Sequence, residues 1–480
     1  MVRIYVDQRI FDCPKGENLL AFLRRHGFGV SADCGGHGKC GKCRVWVNGC
    51  EELACNYIVN ETVCVETGEI RHMRVESSYT PQINFGSREN GFGVAIDLGT
   101  TTIVVELIDL FTQETVGKAG FANPQRAFGA DVICRVEKAN NGALTELSRL
   151  VCDRIGSEIE LLSAENKVDK AEIVKTVIAG NTVMIYLLLG FPCECLGAFP
   201  FKTDRKLDNP YMFCDIFKGS SIKCPVFIVP WFSAFVGGDV AAGLLTVDRA
   251  GGNFLFLDLG TNGEIALYAD GRLYCTSTAA GPAFEGGNIT YGAPGMAGAI
   301  SGAKLQSDGR LTVKTIQGIS PIGICGSGVL EITAELLKNN FIDETGLLAD
   351  DFFDDGFPVE GEIVFTQKDI REVQLAKSAI RSGIEILLKT AGNPELQRVY
   401  LCGGFGKELN VDSAVTIGIL PEKLKGLTTA PGNTSLAGAV RILTNNDIMT
   451  ELEPVLTAED INLAVHPDFN EYFTEYMSFE

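Results

Sequence analysis

Three cysteines in a loop crowded with glycine restrict this chain more than any other segment. Cys34, Cys40 and Cys43 follow a C-x5-C-x2-C spacing, interleaved with Gly35, Gly36, Gly38 and Gly41. Two more cysteines follow, Cys50 and then Cys55 in Leu53-Ala54-Cys55. An iron–sulfur centre needs thiolates converging from one tight loop, and glycine lets the backbone curl close to inorganic sulfide without a Cβ clash. A zinc site normally shows two C-x2-C pairs, and only Cys40 and Cys43 form one. His37 lies in the loop, but Rieske ligation takes two histidines on one iron. A disulfide framework does not suit a chain without a secretory signal.

The cysteine pattern resembles 2Fe–2S ferredoxins, whose plant-type form is C-x4-C-x2-C followed by a distant cysteine. The x5 spacing is similar to the adrenodoxin-like branch. The resemblance implies a 2Fe–2S cluster and one-electron chemistry. Its ligands would be Cys34, Cys40, Cys43 and a fourth cysteine. Cys50 competes for that place, and Leu53-Ala54-Cys55 favours Cys55 because such ferredoxins carry their last ligand in Leu-Ala-Cys. Only residues 44–54 separate Cys43 from Cys55, which argues against the β-hairpin usual there.

Flanking residues suit a small β-rich domain. Residues 2–6 and 9–11 read as a hairpin around Asp7-Gln8. Residues 17–26 read as a helix with Leu19, Leu20, Phe22 and Leu23 inward, stopped by Gly27. A further strand is expected at 62–65. The first domain is placed at 1–75 and a polar linker at 76–90.

At 480 residues the chain is too long for one small fold. Its net charge of −20 argues against sequence-independent nucleic-acid binding. Sixteen cysteines without a signal peptide point to a reducing, anaerobic cytoplasm. The most apolar stretch, 226–245, is interrupted by Pro230, Gly237, Gly238 and Asp239, so no membrane span is expected. Cys13, Cys64, Cys152, Cys214 and Cys275 show no ligand spacing and read as buried small hydrophobes.

Beyond the linker, an apolar run ends in Asp97-Leu98-Gly99-Thr100-Thr101-Thr102. A near copy, Asp258-Leu259-Gly260-Thr261-Asn262-Gly263, follows a domain's length later. Each reads as strand, glycine turn and strand, aiming N–H groups and hydroxyls at a phosphate, with an aspartate placed for Mg²⁺. One copy alone is equally a plain hairpin. No Walker A sequence occurs. The pair resembles the two phosphate motifs of the acetate/sugar kinase–heat-shock–actin (ASKHA) superfamily. That likeness implies a two-lobed, ribonuclease H-like ATPase, with lobes at 91–235 and 236–445 and an acidic C-terminal segment at 446–480. Val399 to Cys402 with Gly403, Gly404 and Phe405 is similar to that family's adenosine motif. Asp239, before Val240-Ala241-Ala242, resembles the catalytic base of the glycerol-kinase branch, and it is equally a helix N-cap.

The remaining segments, Asn123-Pro124-Gln125, Gly281 to Gly286, Gly323 to Gly328 and Gly432 to Ala439 among them, narrow the resemblance further. Together they look like the reductive activators of corrinoid proteins, which join a 2Fe–2S domain to an actin-like ATPase. The implied activity is ATP-dependent transfer of one electron to a corrinoid protein of a methyltransferase system, taking Co(II) to Co(I). The implied partners are that protein and an upstream low-potential electron donor, and a homodimer is one assembly the resemblance allows. The short stretch at 76–90 implies that the family's middle segment is missing here. Alternatives are an activator of another low-potential metalloenzyme such as a radical dehydratase, a small-molecule kinase, or a ferredoxin-type carrier with a nucleotide-sensing module.

Overall fold

The computed structural model describes the chain except residues 7, 8, 29, 31, 33, 34, 40, 49, 68–88, 130, 404–409, 446 and 480. Most of the expected linker therefore lies outside the described residues. The chain divides into two compact units, one of residues 1–73 and 88–228, the other including 229–480.

The first unit begins with a small sheet wrapped on a helix. Strands β1 (Val2–Val6) and β2 (Arg9–Cys13) pair antiparallel around residues 7 and 8. Helix α1 (Leu19–Arg25) starts two residues later than expected, because Glu17 and Asn18 pair with Val59 and Ile58. The Asn18 side chain caps it, and Leu19, Leu20, Phe22 and Leu23 are the buried face. Gly27, at φ +78°, follows its end. Strands β3 (Arg44–Val47), β4 (Cys50–Leu53) and β5 (Val63–Glu66) complete a sheet ordered β2-β1-β5-β3-β4, with β5 parallel to β1.

The β3–β4 pair overturns one expectation. The hairpin argued against is present, compressed into the gap between Cys43 and Cys55, with Val47 opposite Cys50. Asn48, at φ +51°, takes the left-handed conformation that a two-residue Asn-Gly turn requires. The expectation rested on the short gap alone and left the Asn48-Gly49 turn signal unused. Cys64 is also corrected. On β5, Val63 and Val65 point inward, so strand alternation turns Cys64 to the surface. Cys214 is exposed too, whereas Cys13, Cys152 and Cys275 are buried.

The rest of the first unit is a mixed sheet with helices. Its strands are β6 (Phe92–Leu98), β7 (Thr102–Asp109), β8 (Glu114–Ala122), β9 (Ile173–Gly180), β10 (Tyr211–Met212) and β11 (Pro225–Ile228), ordered β8-β7-β6-β9-β11-β10. Helices α2 (Val132–Lys138) and α3 (Leu144–Glu165) join β8 to β9, and α4 (Thr182–Leu189) follows β9. The near-continuous apolar runs of β6 and β9 reflect burial on both faces.

The second unit repeats this plan. After α5 (Gly238–Leu244) come β12 (Phe254–Leu259), β13 (Gly263–Ala269) and β14 (Arg272–Thr278). Helices α6 (Gly326–Lys338) and α7 (Gln367–Thr390) precede β15 (Arg398–Cys402), β16 (Thr428–Gly432) and α8 (Thr434–Thr444). With β17 (Glu459–Asp460) the sheet runs β16-β15-β12-β13-β14-β17. Both sheets thus share an antiparallel three-strand meander whose first strand is joined by a parallel neighbour. That shared order is the duplication visible in the sequence. Residues 446–480 are woven into the second unit. Strand β17 extends the sheet, and the side chains of Gln374, Lys377 and Ser378 on α7 donate to the carbonyls of Met477, Ser478 and Phe473. Among the described residues, no helix is long and apolar enough to cross a membrane.

Candidate functional site

In the cysteine region, hairpin register brings Cys43 and Cys55 to the same end of β3–β4, with Cys50 at the far tip. The Ala54 N–H donates to the Cys43 carbonyl at 2.8 Å, and the Cys55 N–H points at Cys43 Sγ at 3.5 Å. The Asn18 side chain that caps α1 also donates to the Cys55 carbonyl at 2.8 Å, which ties this turn to the helix start. Burial raises the Cys43 thiol, and the Cys55 N–H acts against that rise. Gly35, Gly36, Gly38 and Gly41 all have φ between +66° and +92°, a curled path that side-chain-bearing residues avoid. Two converging cysteines, an N–H aimed at sulfur and a left-handed glycine loop fit an iron–sulfur cluster. Cys34 and Cys40 lie outside the described residues. Among the described residues every cysteine is a free thiol.

The first phosphate-type turn joins β6 to β7, with Leu98 paired to Ile103 and residues 99–102 between them. Asp97 stands one residue from the strand end, level with Ala179 on β9. A Cβ on Gly99 would lie 2.4 Å from the Thr102 carbonyl oxygen, so the turn closes only with glycine. Asn123 braces it: its side-chain amide donates to the Gly99 carbonyl and its backbone N–H to the Thr101 carbonyl, both at 2.9 Å. Thr100, Thr101 and Thr102 complete the turn.

The second turn, in the other unit, is tighter. Leu259 pairs with Gly263, and the Gly260 N–H donates to the Asn262 carbonyl at 3.0 Å. Thr261 is buried and its hydroxyl donates to Glu285 at 2.6 Å. Asp258 is level with Cys402 on β15, and the Asp258 charge adds to burial in raising that thiol. Gly403 follows at φ +121°, where a Cβ would meet the Leu259 carbonyl oxygen at 2.3 Å. Gly404 and Phe405 lie outside the described residues.

Asp239 is in the first turn of α5, whose N-cap is Gly237, so the capping role considered for it is not the one it plays. Its carboxylate accepts from the Val240 N–H at 2.9 Å. Glu264, unremarked in the sequence, lies directly opposite Asp258. Burial raises its pKa well above the ordinary value, with the charges of Asp239 and Asp258 adding to the effect. Asp239, Asp258 and Glu264 therefore form one electrostatic group. Among the described residues, no three acidic, histidine or cysteine side chains converge tightly enough to ligate one ion. A divalent cation here would take most of its ligands from water and phosphate, as Mg²⁺ commonly does. Glu285 and Asn123 were visible only as parts of sequence segments; nothing local marked their bonds to the two turns.

Comparison with known proteins bears on these sites. Residues 3–61 match the 2Fe-2S iron-sulfur cluster binding domain, residues 92–249 the RACo middle region, and residues 252–480 the C-terminal domain of RACo, the ASKHA domain. Corrinoid activation enzyme RamQ of Eubacterium limosum is 31% identical over 414 residues, spanning 80% of this chain and 69% of that protein. The chain belongs to the RACo-type reductive activators of corrinoid proteins. A second relative of these activators, the [Co(II) methylated amine-specific corrinoid protein] reductase of Methanosarcina barkeri, is 26% identical over 81% of this chain and 77% of its own. A solved structure titled reductive activator for corrinoid,iron-sulfur protein superposes with a TM-score of 0.74 at 26% identity, covering 100% of this chain and 98% of that one. The fold is thus mixed α/β, an N-terminal ferredoxin-type domain followed by an actin-like ASKHA domain. One expectation falls: the RACo-type middle region is not missing, since residues 92–249 match it.

Proposed function

We propose that this activator uses Mg-ATP to drive the Co(II) of a corrinoid protein to Co(I), with Cys34, Cys40, Cys43 and Cys55 holding a 2Fe–2S cluster. The observation that carries the reading is the pairing, in one chain, of an iron–sulfur domain with an ASKHA domain in a family of corrinoid activators. When bound, such a cluster supplies one electron at a time, near −400 mV in the plant type. Each further 100 mV of reducing power costs about 2.3 kcal/mol per electron. Nucleotide can offset that cost only by binding two conformational states differently.

The chain's own groups divide the work. The Cys55 N–H directed at Cys43 Sγ favours negative charge on sulfur. Asp97 and Asp258, each next to a glycine turn, are the candidate carboxylates for a hydrated Mg²⁺, and the turn N–H groups and threonine hydroxyls the candidates for phosphate. Asp239 is the candidate for orienting a water. Gly403, Gly404 and Phe405 are the candidate adenosine contacts. The partners in this reading are a corrinoid protein of a methyltransferase system and a low-potential donor, in the cytoplasm.

The test is anaerobic spectroscopy of Co(II) corrinoid proteins mixed with reduced activator. Co(I) should form with Mg-ATP and not without it. Equal rates without ATP would leave a plain electron carrier, and no Co(I) with any corrinoid protein tried would point to another low-potential target.

A further inference from the structure

We propose that the iron–sulfur domain is docked through Arg24 onto the turn that braces the first phosphate hairpin, so that nucleotide at the hairpin sets how firmly that domain is held. The coupling rests on the nucleotide reading above; the docking does not.

Arg24 lies near the C-terminal end of α1, on the iron–sulfur domain. Its guanidinium donates to the Ala127 carbonyl and stacks 5.0 Å from the centre of the Phe128 ring. The next residue, Arg25, accepts at its carbonyl from Arg149 on α3 at 3.1 Å. A third contact comes from α2: a Cβ on Gly35 would reach within 3.3 Å of Lys138 Cε, so the lysine stem lies along the cysteine loop. The helix and the cysteine loop are therefore gripped together, by three elements of the neighbouring domain. Contacts between domains of one chain are commonly of a kind that opens and closes.

What makes the contact more than a resting place is where Ala127 sits. The single turn Pro124–Ala127 is capped by Asn123, which is fully buried. Asn123 donates to the Gly99 and Thr101 carbonyls, and its side-chain oxygen accepts from the Gln125 N–H at 2.9 Å. Gln125 in turn donates to the Leu147 carbonyl at 3.0 Å. Asn123 thus joins the phosphate turn to the single turn that carries the Arg24 acceptor. A shift of residues 99–102 on binding phosphate displaces the carbonyl and ring that hold Arg24. A two-state contact biased at one end responds at the other.

Hydrogen exchange on the full-length, cluster-loaded protein tests this, with Mg-AMPPNP and Mg-ADP as probes. Without nucleotide, Arg24→Ala should speed exchange across residues 19–26 and 123–128 by about threefold or more. Arg149→Ala, outside the iron–sulfur domain and so unable to unfold it, should do the same to a smaller extent. Arg24→Lys, which keeps charge without the planar fork, should restore docking only in part. In the wild type, nucleotide should change exchange at both 99–102 and 19–26; in Arg24→Ala only the response at 99–102 should survive. Wild-type exchange in both Arg24→Ala and Arg149→Ala overturns the docking. A response at 99–102 with none at 19–26 overturns the coupling and leaves the nucleotide reading intact. Silence at 99–102 with either nucleotide overturns the nucleotide reading and the coupling together, while the nucleotide-free comparison still decides the docking.

Discussion

Asp258 and Glu264 face each other directly across the β12–β13 hairpin. Glu264 is buried, and burial first, then the charges of Asp239 and Asp258, oppose its ionisation. The strand register therefore sets the Asp258 charge against ionisation of Glu264. Raised carboxyl pKa values of this kind commonly accompany phosphate and metal chemistry.

A pH dependence follows with a definite sign. In the unfolded chain Glu264 titrates near 4.5; in the folded protein it holds its proton to higher pH. The folded state thus binds more protons between those two values, and stability falls as pH rises through that window. Glu264→Gln, isosteric and neutral, should remove this loss. Its Tm relative to wild type should climb as pH rises above the ordinary glutamate value, by roughly 2 °C for each kcal/mol recovered in a protein this large. A constant difference across that range would mean that Glu264 is ionised in the fold.

The cysteine assignment separates two neighbours. Cys55→Ser should lose or perturb the cluster, seen as iron content below about two per chain and an altered visible spectrum. Cys50→Ser, at the far tip of the hairpin, should leave both unchanged. The reverse pattern would move the fourth ligand to Cys50.

For the nucleotide hairpins, Asp97→Asn and Asp258→Asn should each slow ATP turnover more than about tenfold, or about 1.4 kcal/mol in the barrier. Nucleotide binding measured in parallel distinguishes lost turnover from lost folding. Wild-type turnover in either variant would sink the assignment of that hairpin.

Gly403 offers a stability test. With φ at +121° and the Leu259 carbonyl oxygen 2.3 Å from where a Cβ would stand, alanine has neither the conformation nor the room. Gly403→Ala should cost about 2 kcal/mol or more in denaturant unfolding, whereas glycine-to-alanine in ordinary strand geometry is stabilising. A neutral effect would show that β12 and β15 can separate at this point.

Much of this protein was legible from local chemistry. The inward face of α1, the β1–β2 pair, both glycine turns and the repeated lobe plan follow from periodicity and motif, which nearby residues set by themselves. Their order along the chain sufficed to indicate the family. The β3–β4 hairpin was legible too, in an Asn48-Gly49 turn signal that the sequence reading did not use. Other features were decided only by tertiary structure. The raised pKa of Glu264 comes first from its burial, then from Asp239 on a separate helix and from the cross-strand register that sets Asp258 opposite. The Thr261–Glu285 bond, the Asn123 brace and the Arg24 contact join residues far apart in sequence. Cys64 faces solvent because the packing of β5 assigned Val63 and Val65 to the core. Burial, register and electrostatic environment are sums over distant neighbours, and a sequence names the neighbours only once the chain has folded.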